Sequence, residues 1–323
     1  MDTKINYSII IPHKNIPQLL RRCLSSIPRR EDVQIIVVDD DSDLGIVDFE
    51  QFPGLDDPFI KIIFTKEGKG AGYARNVGMA NASGKWLLFA DADDFYNYCI
   101  NDILDEYIDS DADIVYFKHN SLDTNSYVTT YRSTHLNTYI DCWLYSQKKA
   151  GDFLRYYHVV PWAKFIKRCY VEKNHILFDE ISKYNDITFG YLTGFYAIKI
   201  CVDFRALYCT TVRQGSIQYS KSSIENKLDT LFVSAKRYLF FKKHGISIFP
   251  KIGYANFITK TFLFDKITYN RVRRILVKLG FSSLEIILLC LYALITYIPM
   301  RITDRFFPRE KIYLKFKKMT CKI

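Results

Sequence analysis

The sequence has no C-x-x-C pair and no apolar run long enough to cross a bilayer as a straight helix. Its eight cysteines match none of the spacings of zinc or redox sites, so reduced and mostly buried thiols are expected. The longest uninterrupted apolar run, Ile286 to Ile298, holds 13 residues, against the roughly 20 that a span needs. The N-terminal run in MDTKINYSIIIPHK is too short for a signal peptide and is broken by Pro12. These absences favour a cytoplasmic protein that is not exported.

Charge is distributed unevenly along the 323 residues. The net charge is +10, but residues 1–250 carry 30 Lys and Arg against 31 Asp and Glu, whereas residues 251–323 carry 15 against 4. The basic character therefore belongs to the C-terminal quarter. A hydrophobic fraction of 49% with 25% charged residues excludes a disordered chain.

The first hundred residues alternate between short β-branched runs and helical patterns. Strands are predicted over 7–11, 33–40, 59–65 and 85–91, and helices over 16–27 and 72–84. Alternation of this kind implies right-handed crossovers, and it favours an α/β fold with a mostly parallel central sheet flanked by helices.

Carboxylates follow two of these predicted strands, in VVDDDSD (37–43) and LLFADADD (87–94). Ligands of open α/β sheets bind outside the carboxyl ends of the strands, so the two acidic ends are expected to face one crevice. Asp91, Asp93 and Asp94 repel one another, and such hard oxygen ligands suit Mg²⁺ or Mn²⁺ completed by substrate phosphates. The alternative is a helix N-cap at Asp93 followed by solvated acids.

The common nucleotide-binding motifs are absent. EGKGAGYARNVG (67–78) supplies glycines and a basic helix start, but no G-K-[ST] follows, so it is not a P-loop. No G-x-G-x-x-G follows the first strand, which disfavours a dinucleotide fold. The six histidines share no ligand spacing, and we assign them no metal.

Four segments, taken in order, resemble those of family 2 glycosyltransferases of the GT-A fold, of the bacterial surface-polysaccharide type: SIIIPHKN, IIVVDDDSD, GAGYARNVGMANASGKWLLFADADDF and PWAKFIKR…ILFDE…YNDITF. The resemblance is specific over 5–97, clear over 160–190, and fades beyond 220. It implies inverting transfer from a nucleotide diphosphate sugar, usually a UDP-sugar, to a saccharide or polyprenyl-diphosphate-linked acceptor in capsule, O-antigen or exopolysaccharide assembly. Processive members carry Q-x-x-R-W and several spans; their absence implies a non-processive enzyme.

The resemblance also implies a donor site. Pro12 and His13 would line the nucleoside pocket, and Asp40 would contact the base with help from Arg75, which by itself would be taken for a surface charge. VRQGSIQYS resembles the loop that closes over the donor, and its Arg213 would contact the diphosphate, which suits the forked donors of arginine.

The acidic residues and one tryptophan receive the remaining implied roles. Asp91 and Asp93 form the D-x-D motif, and Asp93 and Asp94 would contact ribose and Mn²⁺ or Mg²⁺, with the division of these roles left open. Asp186 occupies the place of the catalytic base; the alternative is a solvated acid or a helix cap. Trp162 would form an acceptor platform, or else belong to the core.

Three positions depart from the family pattern. Lys14 stands where Tyr commonly stacks near the nucleoside, Asp41 replaces the Gly of V-D-D-G-S, and Asn185 replaces the Glu before the base. These departures keep open a non-catalytic, membrane-docked protein with a degenerate fold. A nucleotidyltransferase would share the sheet and the acids, but it would normally have a Gly- and Lys-rich loop where PHKNIPQ stands.

We expect a catalytic domain over residues 1–225 and a helical C-terminal region over 226–323. The apolar segment 284–300 and its basic, aromatic tail are typical of a helix lying on an anionic membrane surface, rather than of nucleic-acid binding. The alternatives are a buried helix with a solvated tail, or one tilted span. A peripheral or monotopic position at the cytoplasmic face of the inner membrane is therefore expected.

Overall fold

A computed structural model of the protein describes residues 4–213, 223–246 and 255–291. By its internal contacts the chain divides into two compact units, Met1–Ser220 and Lys221–Ile323. The first unit contains all the acidic motifs found in the sequence, and the second is helical where it is described.

The first half of unit one follows the predicted alternation. Its elements are β1 (Tyr7–His13), α1 (Pro17–Ser25), β2 (Val33–Asp40), β3 (Ile60–Thr65), α2 (Ala71–Ala80) and β4 (Trp86–Phe89). β1 is buried along its whole length, which explains why its sequence is continuously apolar rather than alternating. β3, β2, β1 and β4 lie side by side in this order, and all three pairings are parallel.

The α2 helix is shorter than predicted. It ends at Ala80, where the side chain of Asn81 bonds back to the carbonyl of Val77. Gly84 follows in the turn into β4, and a Cβ there would lie 2.6 Å from the backbone nitrogen of Ser8. The chain must therefore leave the helix early to approach β1 this closely.

The second half of unit one completes the sheet. Its elements are β5 (Phe95–Tyr96), α3 (Ile100–Tyr107), β6 (Ile114–Asp123), α4 (Thr134–Asp141), a 3₁₀ turn (Cys142–Leu144), α5 (Gln147–Tyr156), β7 (Lys164–Lys167), α6 (Arg168–Lys173), α7 (Ile187–Tyr196) and β8 (Ile200–Val212). The eight strands have the order β3-β2-β1-β4-β7-β6-β8-β5. β7 is antiparallel to both of its neighbours, β8 is parallel to β6, and β5 is antiparallel to β8.

The core has two layers, one on each face of the sheet. Ile9 and Ile11 of β1 belong to one apolar cluster, and Ile10 belongs to the other. Successive side chains of a strand point to opposite faces, so helices are needed on both sides. The predicted α/β fold, with a mostly parallel sheet flanked by helices, is confirmed.

Unit two contains α8 (Ile224–Lys243), α9 (Ala255–Phe264), α10 (Lys266–Lys278) and a helical segment over 283–291. Leu231, Val272 and Leu276 pack at the centre of its own apolar cluster. Among the described residues, no helix is both long and apolar enough to cross a membrane. The rest of the predicted apolar segment, 292–300, and the basic tail lie outside the described residues.

Candidate active site

His13 and Asp39 lie opposite each other at the carboxyl ends of β1 and β2. The backbone N–H of Ile16 donates to Nε2 of His13 (3.2 Å), so Nδ1 carries the proton and donates to Oδ2 of Asp39 (2.7 Å). Ser42 also donates to Asp39 through both its N–H and its hydroxyl. Burial alone would raise the pKa of Asp39, but the hydrogen bonds from His13 and Ser42 outweigh it and lower the pKa. Both ring nitrogens of His13 are thus engaged within the protein.

Asp40 holds the segment that leads into α2. Its two carboxylate oxygens accept the backbone N–H groups of Lys69 (3.1 Å) and Gly70 (2.6 Å), and the residue is 3% exposed. Pro12 is also buried, opposite Val38 in the β1–β2 ladder. The acidic end of β2 therefore organises the start of α2, the helix that carries Arg75.

Arg75 joins two parts of the site that are far apart in sequence. Its Nη2 donates to Oδ1 of Asp91 (2.6 Å), just beyond β4, and its Nη1 donates to Oδ1 of Asn185 (2.8 Å), just before α7. The Arg75 side chain is only 7% exposed, whereas that of Asp91 is 29% exposed. The guanidinium also lies over the ring of Phe178. Arg75 is therefore a buried bridge rather than a surface charge.

Asp93 is the second partly exposed carboxylate. Its Oδ2 accepts from Nε of Arg213 (3.1 Å), and its backbone carbonyl accepts from Arg22 (2.5 Å) and from the hydroxyl of Thr211 (2.6 Å). Burial, together with the charge of Asp91, raises the pKa of Asp93, and Arg213 opposes the increase. The three carboxylates after β4 thus sit among arginines, as their mutual repulsion requires.

Asp94 points into the protein. The residue is 2% exposed; its Oδ1 accepts the backbone N–H of Thr211 (2.6 Å), and its Oδ2 accepts from the hydroxyl of Tyr208 (3.1 Å). The same hydroxyl accepts the backbone N–H of Asp91 (2.8 Å). Burial and the neighbouring Asp93 raise the pKa of Asp94 well above its usual value. Asp94 therefore fastens the acidic turn to β8 instead of facing the crevice.

Asp186 immediately precedes α7, and its backbone carbonyl accepts the N–H of Gly190 (2.8 Å). Burial raises the pKa of its carboxyl. The positive charges of Arg75 and Lys164 oppose the increase, and the negative charge of Asp91 adds to it. Asp186 thus lies within electrostatic range of the residues that follow β4.

Trp162 lies in the core. It is 5% exposed, stacks on Tyr208 with ring centroids 5.4 Å apart, and contacts His119 edge-on. A sugar needs an open aromatic face, and this indole has none to offer. Of the two interpretations of Trp162, the structure supports the core residue.

Asp91 and Asp93 are the two residues of this group that could hold a divalent cation. Each is partly exposed and gives one oxygen to an arginine. Hard oxygen donors of this kind suit Mg²⁺ or Mn²⁺ when ligand phosphates supply further oxygens. A cation would also relieve the repulsion between the two acids. Over residues 4–213, 223–246 and 255–291, no group of three or more potential side-chain ligands is found, so the ligand would have to complete the site.

The structure thus brings Arg75, Asp91, Asp93, Arg213 and the Asp186 loop together at one edge of the sheet. Sequence reasoning overlooked Arg22, Lys164, Tyr208 and Thr211, which support this group. Lys164 gave a signal, since it interrupts the apolar run PWAKFI. Tyr208 and Thr211 gave none, because their partners are more than a hundred residues away.

Known proteins share this fold and these motifs. The model of glycosyl transferase family 2 matches residues 8–168, about half the chain. Glycosyltransferase GlyA of Streptococcus pneumoniae is 27% identical over 232 residues, which are 67% of this chain and only 32% of GlyA. TarS 1–349 of S. aureus, crystallised with UDP-GlcNAc, has a TM-score of 0.56 at 21% identity, over 81% of this chain and 74% of TarS. The mannosyltransferase PcManGT of Pyrobaculum calidifontis, in complex with GDP-Man and Mn²⁺, has a TM-score of 0.53 at 11% identity, over 98% of this chain and 85% of PcManGT.

The mixed sheet flanked by helices, with acidic residues at two of its strand ends, has the GT-A fold of these glycosyltransferases. The chain belongs to glycosyl transferase family 2.

Proposed function

We propose that this protein is an inverting, metal-dependent and non-processive glycosyltransferase. It moves a sugar from a nucleotide diphosphate sugar, a UDP-sugar in the first instance, to a saccharide or polyprenyl-diphosphate-linked saccharide of a bacterial surface polysaccharide. The UDP-GlcNAc and UDP bound by the TarS structures support a nucleotide-sugar donor. GlyA and its relatives among bacterial glycosyltransferases support the class of reaction.

The bridge made by Arg75 is the observation that carries the proposal. One buried guanidinium bonds both Asp91, in the D-x-D motif, and Asn185, which adjoins Asp186. A transferase must hold its donor phosphates and its base at a fixed separation, because small displacements of reacting groups are costly in rate. Arg75 provides that constraint.

In the proposed reaction the acceptor hydroxyl oxygen attacks the anomeric carbon of the donor sugar. Asp186 takes the hydroxyl proton as the new C–O bond forms. The bond from the anomeric carbon to the diphosphate oxygen breaks, and the nucleotide diphosphate leaves with the electron pair. A single displacement inverts the anomeric configuration. Burial raises the pKa of Asp186, which makes its carboxylate a stronger base than a solvated one.

Asp91 and Asp93 would hold the divalent cation, together with the donor diphosphate. When bound, a divalent cation neutralises the charge that develops on the leaving diphosphate. Arg213, beside Asp93, is positioned to add a second positive group on the same side. Asp94 supports this turn through its hydrogen bond to β8. Pro12, His13 and Asp40 support the nucleoside side, because they lie at the ends of β1 and β2 and fix them.

Unit two is proposed to dock on the cytoplasmic face of an anionic membrane, where a lipid-linked acceptor would be found. Phe264 and Ile267 are 83% and 81% exposed, and Arg273, Arg274 and Lys278 of α10 are exposed as well. Exposed apolar side chains beside cations suit an interface with anionic headgroups. Sedimentation with vesicles that contain phosphatidylglycerol tests this docking, and failure to sediment at low salt would refute it.

The test of the enzymatic proposal is a panel of UDP-sugars incubated with Mn²⁺ and lipid-extract acceptors, with UDP release and product mass as readouts. We expect turnover with the wild type and a loss of at least about a hundredfold with Asp186→Asn, the range for removal of a general base. Asp109→Asn is the matched control: Asp109 is exposed and makes none of the contacts described for the site. Its turnover should equal that of the wild type. Equal turnover by Asp186→Asn and the wild type would refute the role of Asp186.

A further inference from the structure

Lys164, the first residue of β7, has its amino group in the core. The residue is 2% exposed, and among the described residues no carboxylate lies within ion-pair distance of its nitrogen. Removing a charge from water without a partner is expensive. A chain that keeps such a lysine gains something from it other than stability, and perturbed buried charges cluster at functional sites.

The surroundings of Lys164 fix where its charge lies. Its Nζ donates to the backbone carbonyl of His158 and lies 5.0 Å from the ring centroid of Tyr116. Burial lowers the pKa of His158 well below its usual value, so that ring is neutral. The negative charge that acts on the Lys164 ammonium is that of Asp186.

The surroundings of Lys164 adjoin α7, the helix that begins after Asp186. A Cβ at Gly190, in the first turn of α7, would overlap the backbone of Val159. The carbonyl of residue 158, which Lys164 binds, is therefore part of the strip of backbone on which α7 rests. Lys164 is thus connected to Asp186 through backbone packing as well as through its charge.

Three charged groups on three elements influence the ionisation of Asp186. Arg75 of α2 and Lys164 of β7 favour its ionised form, and Asp91, beyond β4, disfavours it. Arg75 is shared between Asp91 and Asn185. Lys164 is the one of the three that makes no ion pair with a described side chain.

We propose that Lys164 is a positioning residue for Asp186: its buried ammonium keeps the carboxyl ionised, and its bond to the carbonyl of residue 158 keeps the start of α7 in place. The inference rests on the proposed role of Asp186 as the base. It adds a residue that acts on Asp186 from β7.

The test is a ¹³C NMR titration of protein labelled at the aspartate carboxyl carbons, with the Asp186 resonance assigned by its loss in Asp186→Asn. In Lys164→Met, which keeps the length of the side chain without its charge, we expect the titration midpoint of Asp186 to rise by about one pH unit. Lys167→Met is the matched control: Lys167 lies on the same strand, over the ring of Trp86, and its replacement should leave the midpoint unchanged. An unchanged midpoint in Lys164→Met overturns the inference.

A second part of the NMR experiment is measured first on the wild-type protein. Burial lowers the pKa of Lys164 to about 7, so its ammonium is charged in the acidic range where Asp186 titrates and loses its charge near neutrality. The wild-type Asp186 resonance should therefore show a second, smaller inflection near pH 7, which Lys164→Arg should abolish. Its absence from the wild-type protein overturns the inference even if Lys164→Met fails to fold.

The two proposals fail in different ways. A shifted midpoint without any turnover of UDP-sugars would refute the proposed function and leave the coupling between Lys164 and Asp186 standing. Turnover with an unshifted midpoint would refute the coupling alone. In the kinetics, Lys164→Met should move the acidic limb of kcat to higher pH without changing the Kd for UDP, whereas general structural damage would change both.

Discussion

Nη2 of Arg75 lies 2.6 Å from Oδ1 of Asp91, and both groups stand at the point where β4 ends. The other terminal nitrogen of the same guanidinium reaches Asn185, the residue before Asp186. Arg75 therefore links the proposed donor side to the proposed base, and one of its two bonds is to a neutral amide. A neutral partner leaves more of the arginine charge available to Asp91 and Asp186.

Replacing Arg75 by lysine should separate this bridging role from charge. Lysine keeps the positive charge but lacks the fork, so it cannot hold Asp91 and Asn185 together. We expect Arg75→Lys to reduce turnover at least about tenfold and to lower the free energy of unfolding by about 1–3 kcal/mol, as expected when a buried hydrogen-bond partner is lost. Turnover assays and urea unfolding measure the two effects. Arg21→Lys, at an exposed position of α1, is the control, and equal losses in both variants would contradict the bridge.

The two neighbouring acids, Asp93 and Asp94, should behave differently on substitution. Asp93 is partly exposed and is proposed to bind the cation, whereas both oxygens of Asp94 are occupied by β8. Calorimetric titration of UDP should show Mn²⁺-dependent binding to the wild type, lost in Asp93→Asn and retained in Asp94→Asn. Loss of binding in Asp94→Asn, with the fold intact by circular dichroism, would assign the metal to Asp94 instead.

Stability should fall in mild acid because of His119. Burial lowers the pKa of His119 to about 4, whereas in the unfolded chain it is about 6.5. Below pH 6.5 the unfolded chain therefore takes up a proton that the folded one refuses, and stability falls as the pH drops toward 4. The loss from this group approaches about 3 kcal/mol at pH 4.

Urea unfolding followed by tryptophan fluorescence measures this effect, since all three tryptophans (Trp86, Trp143 and Trp162) lie in unit one. His119→Phe keeps an aromatic ring against Trp162 and removes the titrating group. Its stability should depend less on pH between 6.5 and 4 than that of the wild type. Identical pH dependence in the two proteins would contradict the assignment.

Two helical glycines offer a matched pair. A Cβ at Gly190 would overlap the backbone of Val159, whereas a Cβ at Gly151 of α5 would meet its nearest atom at an ordinary 3.6 Å. Gly190→Ala should therefore destabilise unit one by about 1–3 kcal/mol and reduce turnover by displacing Asp186. Gly151→Ala should be neutral or stabilising by up to about 1 kcal/mol. Urea unfolding and turnover report both, and a neutral Gly190→Ala would show that α7 tolerates displacement.

The sequence predicted β1, α1, β2, β3, α2 and β4 because each is specified locally, by a β-branched run or a helical period of its own residues. It also predicted that the acids after β2 and β4 would share an edge, since parallel strands end together. It could not predict β6, β7 and β8, where polar and aromatic residues are mixed. The pairing of these strands, parallel between β6 and β8 and antiparallel around β7, depends on contacts between distant segments.

The inward turn of Asp94 shows the same limit within the site. D-x-D-D offers three chemically equal carboxylates, and only the strand that lies beneath them decides which one is buried. The N–H of Thr211 that binds Asp94 is 117 positions further along the chain. Trp162 was ambiguous for a similar reason, because the stacking partner that buries it, Tyr208, lies on the same strand.

That strand has a consequence for where the smallest foldable piece of this chain ends. The family match stops at residue 168, whereas β8 begins at Ile200. A fragment that ends at residue 168 would keep Asp91, Asp93 and Asp94. It would lose the Tyr208 hydroxyl and the Thr211 N–H, which are the hydrogen-bond donors to Asp94. A fragment chosen by the family match alone would thus lack the support of the acidic turn. A fragment that folds by itself must extend through Val212, the last residue of β8.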